Sequence, residues 1–215
     1  MNSLSPEAFR QLLQEHLQAP RSYRRYRERF APELSFGRHH GPSPEDARRA
    51  AVLILFYPHQ GEWKLPLTLR PDTLPDHPGQ ICFPGGAREP EETDAACALR
   101  EMSEELGVFV DSRHLLETLP PIYVYNSHFL VQPIVAVVPD RPSFLPNSAE
   151  VAEVLEVPAL DLLDESRYGE HRVQRQRLSF LAPHIEFERH RIWGATCMIL
   201  GELIGVLHSM KGSQS

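Results

Sequence analysis

The stretch from Gly86 to Val108, GAREPEETDAACALREMSEELGV, constrains this chain more than any other. It reads as a loop feeding a short helix that carries Glu101, Glu104 and Glu105. Residues three and four apart on a helix are neighbours, so the three carboxylates crowd one face about one turn long. Like charges that close oppose helix formation unless a cation sits between them. Carboxylate oxygens are the donors that Mg²⁺ and Mn²⁺ prefer, so the cluster is a candidate divalent-metal platform. A merely solvated face normally interleaves Lys or Arg at i+4, and no lysine occurs between residues 65 and 210. Asp94 is the expected N-cap; Ala95, Ala96, Ala98 and Leu99 favour helix, and Gly107 sits where a left-handed residue would stop it. Arg100 can reach back to Glu92 at the start of the loop, an ion pair that would pin loop to helix.

The spacing G-x5-E-x7-R-E-U-x-E-E-x-G-U, with U apolar, is met in full by Gly86, Glu92, Arg100, Glu101, Met102, Glu104, Glu105, Gly107 and Val108. On these residues the chain resembles a Nudix hydrolase. The resemblance implies an α/β/α sandwich with a mixed central sheet, here with an extra N-terminal helix. It also implies Mg²⁺ or Mn²⁺ as cofactor and hydrolysis of a pyrophosphate linked to another group. Carried over by position, it makes Glu101 and Glu105 the principal metal ligands and Glu104 a third ligand or the base, with Glu92 and Arg100 as the structural pair. Gly85 and Gly86 let backbone approach a ligand, and their carbonyls are candidate additional ligands. The family often recruits one more acid after the helix, for which Glu150 and Glu153 are candidates.

A second motif bears on the substrate. Leu67-Thr68-Leu69-Arg70, then Gly79-Gln80-Ile81-Cys82-Phe83-Pro84-Gly85-Gly86, resembles the pattern that precedes the glutamate motif in coenzyme A pyrophosphatases, L-T-x-R-S-x3-R-x3-G-x3-F-P-G-G. Pro120-Pro121-Ile122-Tyr123 and Trp193-Gly194-Ala195-Thr196 are similar to that subfamily too. Two positions depart: Pro71 stands for the serine and Pro75 for the second arginine, a natural partner of the 3′-phosphate. Arg70, His77 and Arg88 are left for that work, and Gly79, Gln80, Phe83, Tyr123 and Asn126 complete the candidate substrate contacts. The resemblance implies cleavage of coenzyme A or its derivatives to 3′,5′-ADP and (acyl-)4′-phosphopantetheine. A pyrophosphatase for ADP-ribose or another nucleoside diphosphate derivative is the alternative, and a catalytically dead binding module is disfavoured because no glutamate is missing.

The 215 residues, 41% hydrophobic and 24% charged, suffice for one core and not for two large domains. The expected organisation is an extension over 1–49, a catalytic domain over 50–208 and a flexible tail over 209–215. A net charge of −7 argues against nucleic acid as partner, including RNA at the Arg-rich 21–49 segment, while a bound cation still permits a small phosphate substrate. Cys82, Cys97 and Cys197 lack C-x-x-C spacing, which suggests neither a disulfide framework nor zinc. No signal peptide or membrane span is read, so a cytoplasmic protein is expected. Its assembly is open between monomer and homodimer.

Along the chain, Ser5-Pro6-Glu7 opens a helix over 6–18. Residues 21–49 read as a surface connection, with His39-His40 solvent-exposed. Ala50–Tyr57 suits a buried central strand and Lys64–Arg70 its hairpin partner. Strands are expected at Leu115–Leu119 and Phe129–Val138 with a substrate-side loop between them, then at Glu150–Val157. A short helix follows at Pro158–Asp164, hairpin-like alternation at Arg177–Leu181 and Ile185–Arg191, and an apolar helix over 195–208.

Overall fold

The computed structural model describes residues 1–19, 24–35, 42–74, 78–175 and 178–213. The apolar run at Ala50 forms the middle of a long strand, β1 (Arg48–His59), whose side chains alternate between two cores. Ala51, Leu53, Leu55 and Tyr57 enter one core, and Ile54 and Phe56 the other. A strand buried on both faces has no polar side to present, so its sequence is continuously apolar.

β1 pairs in parallel with β7 (Phe129–Val137) and antiparallel with β4 (Gly85–Ala87). It also turns through Gln60-Gly61 onto β2 (Glu62–Leu69). The positive φ angles of Gln60 and Gly61, 53° and 77°, are those of a type I′ hairpin. β2 pairs further with β3 (Ile81–Cys82) and β8 (Glu153–Pro158), while β7 pairs with β5 (Leu115–Thr118) and β6 (Ile122–Val124). Together these form one mixed sheet of eight strands. A separate antiparallel sheet holds β9 (Tyr168–Arg175), β10 (Leu178–Phe187) and β11 (His190–Trp193).

Four α-helices are described: α1 (Pro6–Gln18), α2 (Arg24–Arg29), α3 (Asp94–Leu106) and α4 (Ala195–Gly212). α3 covers one face of β1 and β7 with Cys97, Ala98, Met102 and Leu106. α1 and α4 belong to the core on the opposite face, so the expected α/β/α sandwich with its extra N-terminal helix is found. α4 is buried nearly all round, which explains why its sequence shows no polar stripe. None of the described helices is long and apolar enough to cross a membrane.

Several expectations need correction. Thr93, not Asp94, caps α3: its side chain accepts the Ala96 N–H at 3.1 Å from an extended backbone, and Asp94 is the first helical residue. Gly107 does end the helix in the left-handed region, with φ 66°. The segment read as a surface connection instead contains α2 and a 3₁₀ turn at Glu33–Ser35, with Arg27 and Phe30 buried. Within residues 1–49, Phe9, Leu13 and Leu17 are core residues, and Phe9 stacks on Trp63 with ring centroids 3.8 Å apart.

The loop between β5 and β7 contains β6, and the strand expected from Glu150 begins at Glu153, leaving Glu150 in a turn. The helix expected at Pro158–Asp164 is a 3₁₀ turn, Asp161–Leu163. The late hairpins are β9–β10 and β10–β11, longer than the alternating fragments suggested. α4 continues to Gly212 with Met210 buried, so residues 209–212 of the expected tail are helical. His39, His40, Pro75 and His77 lie outside the described residues.

Candidate active site

Two glycines determine how the glutamate helix meets the sheet. A Cβ on Gly85 would lie 2.4 Å from the Ala51 carbonyl oxygen, and one on Gly86 would lie 2.4 Å from the Glu101 carboxylate. Only glycine lets β4 run this close to both β1 and α3. The Gly86 carbonyl accepts from the Cys97 thiol at 3.5 Å.

Arg100 organises the carboxylates beside it. Its Nε and Nη2 grip both oxygens of Glu92 at 3.0 and 3.1 Å, Nη2 also donates to the Ala87 carbonyl, and Nη1 donates to Glu101 at 2.8 Å and Glu104 at 2.9 Å. The Glu92–Arg100 pair expected from spacing is therefore present, and Arg100 holds the Glu92 carboxyl below the ordinary carboxylate range.

Glu105 has the opposite environment. It is 2% exposed, and the Gly85 N–H donates to it across a long 3.4 Å. Burial, followed by the negative field of Glu101, pushes its pKa up to about 8, with the Gly85 N–H and Arg70 opposing the shift. Burial likewise raises Glu101, against the pull of Arg100. A carboxylate buried beside another without full compensation is costly, and a cation is the natural remedy.

Among the described residues, no three carboxylate, imidazole or thiol groups close around an ion-sized space, since Glu101 and Glu104 both lean onto Arg100. The donor set nevertheless fits a hard divalent cation: all-oxygen, anionic, and centred on the underpaired Glu105.

The two further acids separate. Glu150 accepts from Asn147 Nδ2 at 3.2 Å, and its charge reaches both Glu101 and Glu105. Glu153 is engaged by Arg189 at 2.6 Å and His190 at 3.3 Å, on the side of the three-stranded sheet.

Beside the carboxylates opens a cleft of about 680 Å³. Arg70, Gln80, Phe83, Tyr123 and Asn126, expected as substrate contacts, all line it, together with Gly85 and Gly86. The Arg70 charge reaches Cys82 and Glu105, linking cleft to carboxylates. Tyr123 is further fixed by its hydroxyl, 2.8 Å from His128 Nδ1. Two expected contacts are not on the wall: Gly79 sits in an exposed turn with φ 65°, and Arg88 pairs with Asp94 at 3.1 Å.

Sequence reading missed much of the lining. Leu178 and Phe180 of β10, Met198 of α4, and Pro32 and Ser35 of the N-terminal segment all contribute. Trp193, Gly194 and Thr196 also line the cleft; their motif was visible, but no role was attached to it. Thr196 Oγ1 donates to the Ile81 carbonyl at 2.9 Å, joining α4 to β3.

Comparisons with known proteins agree with this geometry. The family model described as the NUDIX domain matches residues 47–178. The chain is 37% identical over 157 residues to a protein of Yersinia pestis (strain Pestoides F) described as the uncharacterized Nudix hydrolase NudL, covering 73% of this chain and 78% of the relative. A protein of the same description from Yersinia pseudotuberculosis serotype O:1b (strain IP 31758) gives the same figures: 37% identity, 73% and 78%. Among solved structures, a MutT/nudix family protein from Enterococcus faecalis superposes with a TM-score of 0.55 at 15% identity, over 91% of this chain and 76% of that one. The MutT protein from Methanosarcina mazei Go1 gives 0.50 at 16% identity, over 77% and 99%. At such identities the two structures speak for the fold alone.

Proposed function

The chain belongs to the Nudix hydrolases and is a pyrophosphohydrolase, and from that premise we propose that it splits coenzyme A and its derivatives into 3′,5′-ADP and (acyl-)4′-phosphopantetheine. One observation carries the reading. The segment that resembles the coenzyme A pyrophosphatase pattern runs from β2 through β3 into β4 and brings Arg70, Gln80, Phe83, Gly85 and Gly86 onto one wall of one cleft. The remaining walls are mostly apolar and aromatic, with Tyr123, Phe129, Phe180 and Trp193 among them. Such a slot suits a long, weakly polar arm beside the phosphates.

In this reading Glu101 and Glu105 would hold Mg²⁺ or Mn²⁺, with Glu104, Glu150 and the Gly86 carbonyl as further donors. When bound, the cation would neutralise charge at the phosphate oxygens and lower the pKa of a water. Glu104, exposed at the helix surface, takes the proton of the attacking water. Arg100 keeps Glu101 and Glu104 oriented and ties the loop to α3 through Glu92. Arg70 meets the negative charge of the substrate, and the apolar walls keep bulk water away.

A second reading, hydrolysis of ADP-ribose or another nucleoside diphosphate derivative, is favoured by Pro71 and Pro75, which replace the serine and arginine of the coenzyme A pattern. Product analysis separates the two. Incubated with Mg²⁺ or Mn²⁺, the protein should release 3′,5′-ADP from coenzyme A in clear preference to cleaving 3′-dephospho-coenzyme A or ADP-ribose. Preference for ADP-ribose would replace the first reading with the second.

A further inference from the structure

The segment Arg24–Ser35 lies outside the stretch matched by the family model, yet it is built into the molecule at several points. Arg27 is 4% exposed, with Nε 2.8 Å from Glu202 Oε1 of α4, an ion pair away from ideal hydrogen-bond geometry. Its Nη1 and Nη2 donate to the carbonyls of Pro121 and Pro120 at 3.2 and 2.8 Å. Those prolines lead directly into β6, whose Tyr123 and Val124 line the cleft.

α2 approaches α4 so closely that a Cβ on Gly201 would lie 2.7 Å from the Tyr26 carbonyl oxygen. Phe30 is buried and meets Tyr168 edge-on at 5.0 Å. Glu33 then accepts the Leu181 N–H of β10 at 3.1 Å. The chain emerges with Pro32 and Ser35 on the cleft, on the same lining as Leu178 and Phe180 of β10 and Met198 of α4.

Burying an Arg–Glu pair is costly in itself, and this one ties α2 to α4 while the same guanidinium holds the two carbonyls before β6. We infer that Arg24–Ser35 is a wall of the substrate cleft, held in place by Arg27 and Glu33 as positioning residues, and that it grips the apolar arm of the substrate rather than its phosphates. The identity of that arm as the (acyl-)pantetheine half rests on the function proposed above. The wall forms only where α2, α4, the β5–β6 connection and β10 meet. It therefore contributes to binding and not to the chemistry at the carboxylates.

Steady-state kinetics on the full chain test this with coenzyme A, octanoyl-coenzyme A and ADP-ribose. Ser35→Trp, which fills the slot, should raise KM about tenfold, most strongly for the octanoyl ester, with kcat within about twofold of wild type. Glu33→Ala, which releases the exposed tether to β10, should raise KM by a smaller factor, again with little change in kcat. Thermal melting would report whether either variant has lost its fold. Unchanged KM in both folded variants, or a fall in kcat at constant KM, would overturn the inference. If wild type cleaves ADP-ribose in preference to coenzyme A, the proposed substrate fails, while a raised KM for ADP-ribose in Ser35→Trp still supports the wall.

Discussion

At the scale of a single residue, Glu105 is the buried acid on which both stability and the proposed activity should turn. It is buried, it lies in the negative field of Glu101, and its pKa stands at about 8 against an ordinary value of 4.5. Between those pH values the folded chain holds a proton that the unfolded chain has lost. Stability of the metal-free protein should therefore fall as pH rises from about 4.5 to 8. Glu92, held low by Arg100, acts in the opposite sense, its contribution being lost only as pH falls below the ordinary carboxylate range. Thermal melts in a chelator across this range should show the decline for wild type, a flatter profile for Glu105→Gln, and relief on adding Mn²⁺. Glu105→Gln should also keep the fold while kcat falls by roughly three orders of magnitude, as steady-state assays with saturating Mn²⁺ would show. Turnover like that of wild type would remove Glu105 from the chemistry.

Where elements meet, glycines decide the outcome. Gly86 lets β4 lie against Glu101, so Gly86→Ala, whose Cβ would come within 2.4 Å of that carboxylate, must displace it. The displaced group is the end of a flexible side chain, so the cost in stability should stay below about 1 kcal/mol, whereas Mn²⁺ affinity measured by calorimetry should drop at least about tenfold. Gly107 ends α3 at φ 66°, with Leu145 Cβ only 2.9 Å from where a Cβ would sit. Gly107→Ala should therefore cost about 1 kcal/mol or more in urea denaturation. Because the Glu105 carbonyl, two residues before this cap, accepts the Asn147 N–H at 2.8 Å, that variant should disturb Glu105 as well.

For the molecule as a whole, the question is whether the N-terminal helix is an appendage or part of the fold. Phe9 is fully buried, stacked on Trp63 and tilted against Phe56 of β1. Phe9→Ala should lower stability by about 3–4 kcal/mol, and fluorescence and circular dichroism should report one shared unfolding transition. An early, separate transition for the helix would show that it folds independently of the sheet.

Some of this was legible in the residues themselves. The i, i+3, i+4 spacing of Glu101, Glu104 and Glu105, the Glu92–Arg100 pair, the Gly107 stop and the doubly buried β1 depend on local periodicity and side-chain reach, which a sequence records directly. The register of the strands, the separation of Glu150 from Glu153 and the eviction of Gly79 and Arg88 from the cleft depend on which distant segments pack together. Arg27 shows the difference most sharply: in the sequence it is one of several arginines in a charged stretch, and only its pairing with Glu202 and with the Pro120 and Pro121 carbonyls makes it a buried anchor. Sequence periodicity fixes what a segment can form, whereas the lining of the cleft is set by contacts among residues far apart in the chain, and no local pattern encodes them.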